Sequence, residues 1–314
     1  MKKYLHFALT TMMPLIIATT SAYAAAQAKA MPPIPQGGPT LQDKMVKASF
    51  PDITYGNISK NQTLDIYLPQ DRKGPFPMVI YAHPGGFKFG DKKIASFRIV
   101  NAMLNKGYAF VSVNYRLSGE STFPAAVQDF FTAVEFVTLH ANDYNLKSGS
   151  PYFYGESAGA NIVSLAGLAY DNPDFNKEKI TPTHYIKPQG VIALYPPVDF
   201  SKIAQFVNAQ GCATDNDSEM LTLEEQYIGG KLSDNVEKVN AANPANYVKR
   251  NAPAFLIENG SNDCNVGADQ SRILVNALEK YQDSVNYEML EGAGHGGLAF
   301  ESDANIKKLI DFLL

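Results

Sequence analysis

The sequence predicts an α/β fold with a mostly parallel central sheet and helices on both faces. Two observations carry this prediction. Short apolar runs alternate along the chain with longer stretches of helical periodicity. Gly and Pro residues bound several of these runs, which is typical of buried strands. In such a sheet, functional side chains are expected in the loops that follow the carboxyl ends of the strands.

The predicted elements extend through most of the 314 residues. Strands are predicted at residues 65–68, 78–82, 108–113, 152–154, 191–195, 254–257 and 285–290. Helices are predicted at residues 123–140, after Ser157, at residues 271–281 and at the C-terminus, where the apolar face consists of Ile306, Leu309, Ile310 and Leu313. A polar, irregular region at about 199–251 is predicted to be an insertion or lid over the site.

The N-terminus has the pattern of a secretory signal. Residues 1–3 are basic, residues 7–18 are mostly apolar, and Ala22-Tyr-Ala24 is a cleavage signal of the A-x-A type. An uncleaved anchor is the alternative, but the apolar stretch is too short to span a bilayer. We therefore expect a signal peptide over residues 1–24, with cleavage after Ala24, and a periplasmic or secreted protein. A flexible arm is predicted over residues 25–49, followed by one domain over residues 50–314.

Charge and composition argue against several classes of partner and cofactor. The net charge is −4 and no Lys/Arg cluster occurs, so neither nucleic acid nor an anionic membrane surface is an expected partner. The histidines are few and unpaired and neither cysteine has metal-ligand spacing, so no metal or other cofactor is predicted. In an oxidising compartment, Cys212 and Cys264 can form one disulfide bond; two buried free thiols are the alternative.

Residues 155–159 read Gly-Glu-Ser-Ala-Gly, a G-x-S-x-G pentapeptide between a short aromatic run and a helical stretch. In a strand–turn–helix context this motif is typical of a nucleophile turn, which exposes its serine at the tip of a sheet. The turn strains the serine backbone, and the small residues Gly155 and Gly159 avoid steric conflict. Ser157 is therefore the predicted nucleophile; an ordinary tight turn is the alternative.

A serine hydroxyl needs an adjacent base, and the base needs an acid to fix its tautomer. His295 is the predicted base, because it lies in a glycine-rich loop after a predicted strand. After a nucleophile turn of this kind, the acid precedes the histidine along the chain. Asp263, just past the predicted strand at 254–257, is the predicted acid. Weaker candidates are Asp269 and Asp199 for the acid and the surface-type histidines His140 and His184 for the base.

Attack by a serine on a carbonyl carbon creates an oxyanion, which needs preorganised hydrogen-bond donors. One predicted donor is the backbone amide of Ala158. The others are expected in the loop after the strand at 78–82, where Pro84 lacks an amide and Gly85 and Gly86 are the candidates. His83 is interpreted as a residue that shapes this loop. A simple Pro-Gly turn is the alternative interpretation of the loop.

Together these motifs resemble those of the α/β-hydrolase superfamily, specifically hormone-sensitive-lipase-like bacterial carboxylesterases and their feruloyl-esterase-like relatives, over roughly residues 50–314. Residues 83–87 are similar to the group's HGGG-type motif, with Pro84 in place of the first glycine. Residues 114–117, followed by Phe-Pro-Ala and Asp129, are similar to its Y-R-L…F-P-A…D signature. Residues 260–266 fit the group's G-x-x-D-C-x-V-P motif around the acid. The next residue departs from it, because Gly267 stands where proline is usual.

The resemblance implies an α/β-hydrolase fold, the roles assigned above, and a Cys212–Cys264 disulfide that tethers the insertion beside Asp263. It also implies a serine carboxylesterase that acts on short- to medium-chain acyl esters, with acetyl or feruloyl esters of plant polysaccharide among the candidate substrates. The expected partner is thus a small-molecule ester, and the oligomeric state is open. A serine peptidase or aminoacyl hydrolase of the same fold, and a non-catalytic binding protein of that fold, are the alternatives.

Overall fold

The centre of the molecule is a sheet that, in the described part of the chain, has eight strands. The computed structural model describes residues 37–176, 185–212, 220–281 and 285–313, which all belong to one unit, Pro35–Leu314. The signal peptide predicted over residues 1–24 and the first part of the predicted arm lie outside the described residues.

Six of the strands are parallel, and two antiparallel strands extend one edge of the sheet. In chain order they are β1 (Phe50–Thr54), β2 (Thr63–Tyr67), β3 (Met78–Ala82), β4 (Ala109–Val113), β5 (Tyr152–Glu156), β6 (Gly190–Leu194), β7 (Ala254–Gly260) and β8 (Val285–Leu290). The spatial order is β1-β2-β4-β3-β5-β6-β7-β8. The prediction of a mostly parallel sheet is confirmed. The edge strand β1 was not predicted, because its side chains are largely exposed and lack an apolar pattern.

Helices cover both faces of the sheet. They are α1 (Phe97–Lys106), α2 (Ala125–Leu139), α3 (Ala158–Leu168), α4 (Ile203–Ala209), α5 (Leu223–Ile228), α6 (Val236–Ala241), α7 (Asp269–Glu279) and α8 (Asp303–Phe312). Helix α1 was not predicted, although its ends carry readable signals. Ser96 accepts a hydrogen bond from the amide of Ile99, and Gly107 ends the helix in the left-handed conformation.

Two layers of apolar side chains lie on opposite faces of the sheet. The layer under α2, α3 and α7 includes Val127, Ile162 and Leu274, and the layer under α1 and α8 includes Ile99 and Leu309. Strands β3, β4 and β6 are buried along their whole length, as parallel strands covered on both faces are. This rigid centre holds the carboxyl ends of β3, β5, β6 and β7 side by side, where the predicted site residues lie.

The described part of the segment predicted as a flexible arm, residues 37–49, contacts the domain at several points. Leu41 is buried, and its amide donates to the carbonyl of Ala95 at 3.0 Å. The amide of Phe97 donates to the carbonyl of Pro39 at 2.9 Å, and the amide of Gly38 donates to Glu301 at 2.9 Å. Buried apolar surface and satisfied backbone groups therefore fix this segment to the domain.

The insertion predicted at about 199–251 is more regular than its polar sequence indicated. Its described residues form α4, α5, α6 and short 3-10 helices. Tyr227 of α5 stacks on Phe87 with ring centroids 3.8 Å apart, so the insertion packs against the loop that follows β3. Cys212 and Cys264 form a disulfide bond, with Cα atoms 5.6 Å apart, that joins the insertion to the loop after β7.

Candidate active site

Ser157 occupies a strained turn between β5 and α3. Its backbone has φ 52° and ψ −120°, and residues other than glycine rarely adopt such a positive φ. A Cβ on Gly155 would lie 2.4 Å from the carbonyl oxygen of Gly159, and a Cβ on Gly159 would lie 2.0 Å from the carbonyl oxygen of Ala82. Glycine is therefore required at both flanking positions. The amide of Ser157 donates to the carbonyl of Leu194 at 2.9 Å, which fixes the turn to β6.

His295 bridges the serine and an aspartate. Its Nε2 lies 2.7 Å from the Oγ of Ser157, and its Nδ1 lies 2.7 Å from Oδ2 of Asp263. A carboxylate can only accept, so Nδ1 carries the proton and Nε2 is left to accept the serine proton. The structure thus brings together the three residues that the sequence predicts as nucleophile, base and acid, although 138 positions separate the first two along the chain.

The surroundings of Asp263 stabilise its charged form. The side chain is fully buried, and burial alone would raise its pKa. The charge and hydrogen bond of His295, together with the amides of Asn265 and Val266 that donate to Oδ1 at 2.9 and 3.0 Å, outweigh burial and lower the pKa of Asp263 below its usual value. Asn259 adds a donor to Oδ2 at 3.3 Å. A buried, ionised Asp263 can therefore hold His295 in the Nδ1–H tautomer.

The other acids and histidines considered from the sequence lie elsewhere. Asp199 accepts a hydrogen bond from the amide of Ser201, and Asp269 opens α7 and pairs with Arg272 at 3.3 Å. His140 pairs with an exposed aspartate, Asp143, at 2.9 Å. His184 lies outside the described residues.

His83 is buried at the base of the loop after β3. Burial lowers the pKa of His83 to about 4, so the ring is neutral near pH 7. Its Nδ1 donates to the carbonyl of Pro84 at 2.8 Å, and its ring stacks on Tyr115 with centroids 4.3 Å apart. These contacts hold the start of the loop in place.

The next residues of this loop have free backbone donors. Gly85 has φ 132° and Gly86 has φ 57°. The carbonyl of Gly85 accepts from the amide of Phe89 at 2.9 Å, whereas the amides of Gly85 and Gly86 donate no hydrogen bond to the described residues. Ala158 is the first residue of α3, so its amide has no acceptor within the helix. Close contact between Gly159 and the end of β3 brings these two groups of donors to the same edge of the sheet.

Three polar residues near the site were not assigned a role from the sequence. Glu156 precedes the nucleophile, Tyr195 follows β6, and Glu224 lies in the first turn of α5. Burial raises the pKa of Glu224, and a positive charge on His295 acts in the opposite direction. An acidic residue at the end of a buried strand was a sequence signal for Glu156, whereas nothing local distinguished Tyr195.

The segment at 114–117 is fixed by a buried ion pair. Arg116 Nε and Nη2 lie 2.9 and 2.7 Å from the two carboxylate oxygens of Asp129 on α2, and Gln62 donates to Asp129 at 2.8 Å.

In the described ranges no group of His, Cys, Asp and Glu side chains is arranged to hold a metal ion. The same residues include no helix that is long and apolar enough to cross a membrane.

Several curated proteins to which this chain is similar are named esterases. Esterase LipC of Mycobacterium tuberculosis is 26% identical over 251 residues, 78% of this chain, and esterase LipQ of the same organism is 29% identical over 269 residues, 83% of this chain. This chain spans 59% of the length of each. An acetyl esterase of Salmonella schwarzengrund is 25% identical over 78% of this chain and 71% of its own length.

Solved structures share the fold. A truncated carbohydrate esterase from gut microbiota superposes with a TM-score of 0.76 at 24% identity, over 88% of this chain and 98% of that one. A bifunctional GH43-CE protein of Bacteroides eggerthii superposes with a TM-score of 0.74 at 26% identity, over 84% of this chain and 37% of that one. The α/β-hydrolase fold implied by the sequence motifs is confirmed.

A family model described as BD-FAE matches residues 64–278, a range that includes Ser157 and Asp263. The match covers more than half of the chain. This protein is a member of the BD-FAE family of the α/β-hydrolase superfamily.

Proposed function

We propose that this protein is a serine carboxylesterase that works through an acyl-enzyme. The observation that carries the proposal is the 2.7 Å contact between Ser157 Oγ and His295 Nε2, with His295 held from its other side by Asp263. Relatives named esterases support it, because they align over about four fifths of this chain.

In the first step, His295 accepts the proton of Ser157 as the hydroxyl oxygen attacks the ester carbonyl. Asp263 stabilises the resulting imidazolium. The imidazolium then gives its proton to the leaving alkoxide, and an acyl group remains on Ser157. Water, deprotonated by His295, attacks the acyl-enzyme and releases the acid in the second half of the cycle.

The oxyanion formed in each half-reaction is proposed to accept hydrogen bonds from the amides of Gly85, Gly86 and Ala158. Two observations support this: the glycine amides have no acceptor among the described residues, and the amide of Ala158 heads a helix. A donor of this kind typically contributes roughly 3–4 kcal/mol to transition-state stabilisation.

The proposed substrates are short- to medium-chain acyl esters, with acetyl or feruloyl esters of plant polysaccharide as natural candidates. An acetyl esterase among the relatives, and the carbohydrate esterase that shares the fold, support this choice. A periplasmic or secreted location is proposed from the N-terminal sequence pattern.

The test is hydrolysis of p-nitrophenyl esters from acetyl to palmitoyl by the purified mature protein. We expect the highest kcat/KM at short acyl chains and a loss of at least about 10³-fold in Ser157→Ala. Ser164→Ala is the matched control, because Ser164 is a buried serine of α3, the helix that follows Ser157, and its hydroxyl has no hydrogen-bond partner among the described residues. This variant is expected to keep its activity. Activity on peptides alone would favour the peptidase alternative, and no turnover of either class would favour a binding protein.

A further inference from the structure

Glu156, the residue before the nucleophile, lies at the centre of a cluster of tyrosine hydroxyls. Its Oε2 accepts a hydrogen bond from Tyr195 at 2.7 Å, and its Oε1 accepts from Tyr154 and, at 3.3 Å, from Tyr81. The three tyrosines come from β3, β5 and the residue after β6, so one carboxyl group connects three neighbouring strands. Nothing in the proposed chemistry uses this carboxyl group.

Of the three tyrosines, Tyr195 is the one with a ring contact to the catalytic histidine. Its ring meets that of His295 edge to face, with centroids 4.8 Å apart and planes inclined at 63°. A Cβ on Gly296 would lie 3.2 Å from the hydroxyl oxygen of Tyr195, so the tyrosine also underlies the residue after His295. Phe300 also packs edge to face against the Tyr195 ring, with centroids 4.8 Å apart.

The backbone of Tyr195 is held in an uncommon conformation. Its φ is 43°, in the left-handed region that is costly for a bulky residue, and its amide donates to the carbonyl of Glu258 at 2.6 Å. The side chain is 6% exposed. A strained residue persists only where its surroundings fix it, and here the fixed ring lies against the base.

We propose that Tyr195 is a positioning residue for His295, and that Glu156 anchors it by accepting its hydroxyl hydrogen bond. The proposal rests on the proposed function and adds a second support for the imidazole. Asp263 fixes the ring nitrogen that faces away from the serine, and Tyr195 fixes the ring edge-on. Through Glu156, the support of the base is joined to the turn that carries the nucleophile.

The first test compares kcat and KM on p-nitrophenyl acetate. Tyr195→Leu removes the ring and is expected to lower kcat by about 10²-fold with KM changed less than twofold, since a small misplacement of a catalytic group has that effect. Tyr195→Phe keeps the ring but loses the anchor, and we expect a loss of about tenfold. Tyr81→Phe is the matched control, because it removes a hydrogen bond to the same carboxyl group on a tyrosine with no ring contact to His295. Its expected loss is below about threefold.

The second test needs no turnover, so it separates this proposal from the proposed function. The proton between His295 and Asp263 should give a sharp downfield resonance in the proton NMR spectrum of the wild-type protein and of Tyr81→Phe. In Tyr195→Phe and Tyr195→Leu we expect it to broaden through faster exchange with water. An unchanged resonance in Tyr195→Phe, or equal kcat losses in Tyr195→Phe and Tyr81→Phe, would overturn the proposal. If Tyr195→Leu does not fold, the two phenylalanine variants decide alone.

Discussion

Asp263 and Glu258 are two buried carboxyl groups five positions apart, one in the loop after β7 and one within that strand, and their pKa values shift in opposite directions. Asp263 has no exposed surface and Glu258 is 1% exposed. The pKa of Asp263 is lowered, whereas burial raises the pKa of Glu258 to about 7. Burial is the largest single influence on the pKa of both groups, and in each case it raises the pKa.

The difference lies in the donors that each group receives. Asp263 accepts two backbone amides and pairs with His295. Glu258 accepts one hydrogen bond, from Asn305 at 2.7 Å, and its Oε1 has no partner among the described residues. A loop can turn its amides towards a carboxylate, whereas the amides of a central strand are committed to its neighbours. Position within the strand–loop unit therefore sets the opposite pKa shifts of these two buried acids.

The largest effect on kcat is expected from replacing Asp263, the one of the two buried carboxyl groups whose pKa is lowered. Asp263→Asn keeps the shape of the side chain but cannot hold His295 in the required tautomer, so kcat should fall by about 10⁴-fold. Asp269→Asn, at the exposed acid next considered from the sequence, is the control and should leave kcat within about twofold. Steady-state kinetics on p-nitrophenyl acetate would measure both. Comparable losses in the two variants would contradict the assignment of the acid.

The loop around Asp263 has a covalent tether that the strand around Glu258 does not need. The Cys212–Cys264 disulfide closes a segment of 52 positions. In the chain-entropy model, its loss in the double variant Cys212→Ser/Cys264→Ser lowers the free energy of unfolding by about 4 kcal/mol. The amides of Asn265 and Val266 remain, so we expect kcat at 25 °C to fall less than tenfold. Denaturant unfolding with parallel kinetics checks both numbers, and unchanged stability would show that the tether is dispensable.

A smaller effect on stability is expected at Glu258, with no effect on the chemistry. Below pH 4.5 the carboxyl group is protonated in both the folded and the unfolded chain. Between pH 4.5 and about 7 the folded chain retains a proton that the unfolded chain has released, so stability falls as pH rises. Above pH 7 the free energy of unfolding is lower than at pH 4.5 by roughly 3 kcal/mol because of this one group. Glu258→Gln is neutral throughout and should be more stable than the wild-type protein at pH 8 by up to that amount, with kcat unchanged.

Urea unfolding at pH 5 and pH 8 measures this difference. Glu279→Gln, at an exposed carboxyl group of α7, is the matched control and should follow the wild-type protein at both pH values. If Glu258→Gln were no more stable than Glu279→Gln at pH 8, the strand carboxyl group would have a stabilising partner, and the contrast with Asp263 would fail.

The features that sequence alone could predict are those fixed by neighbours along the chain. Period and composition predict the parallel strands, and the steric demands of a sharp turn select Gly155 and Gly159 around Ser157. The order of nucleophile, acid and histidine follows from the strands that precede each residue. Asp263 and His295 can therefore be named from the sequence alone.

Tertiary structure decided what depends on contacts between distant segments. The docking of residues 37–49 depends on the surface offered by residues 93–97 and Glu301. The support of His295 by Tyr195, and the opposite charge preferences of Asp263 and Glu258, depend on rings, amides and hydroxyls brought together from several strands. Local patterns determine which segments become strands and turns, but the electrostatics of a buried group are set by whatever the fold places within a few ångströms of it.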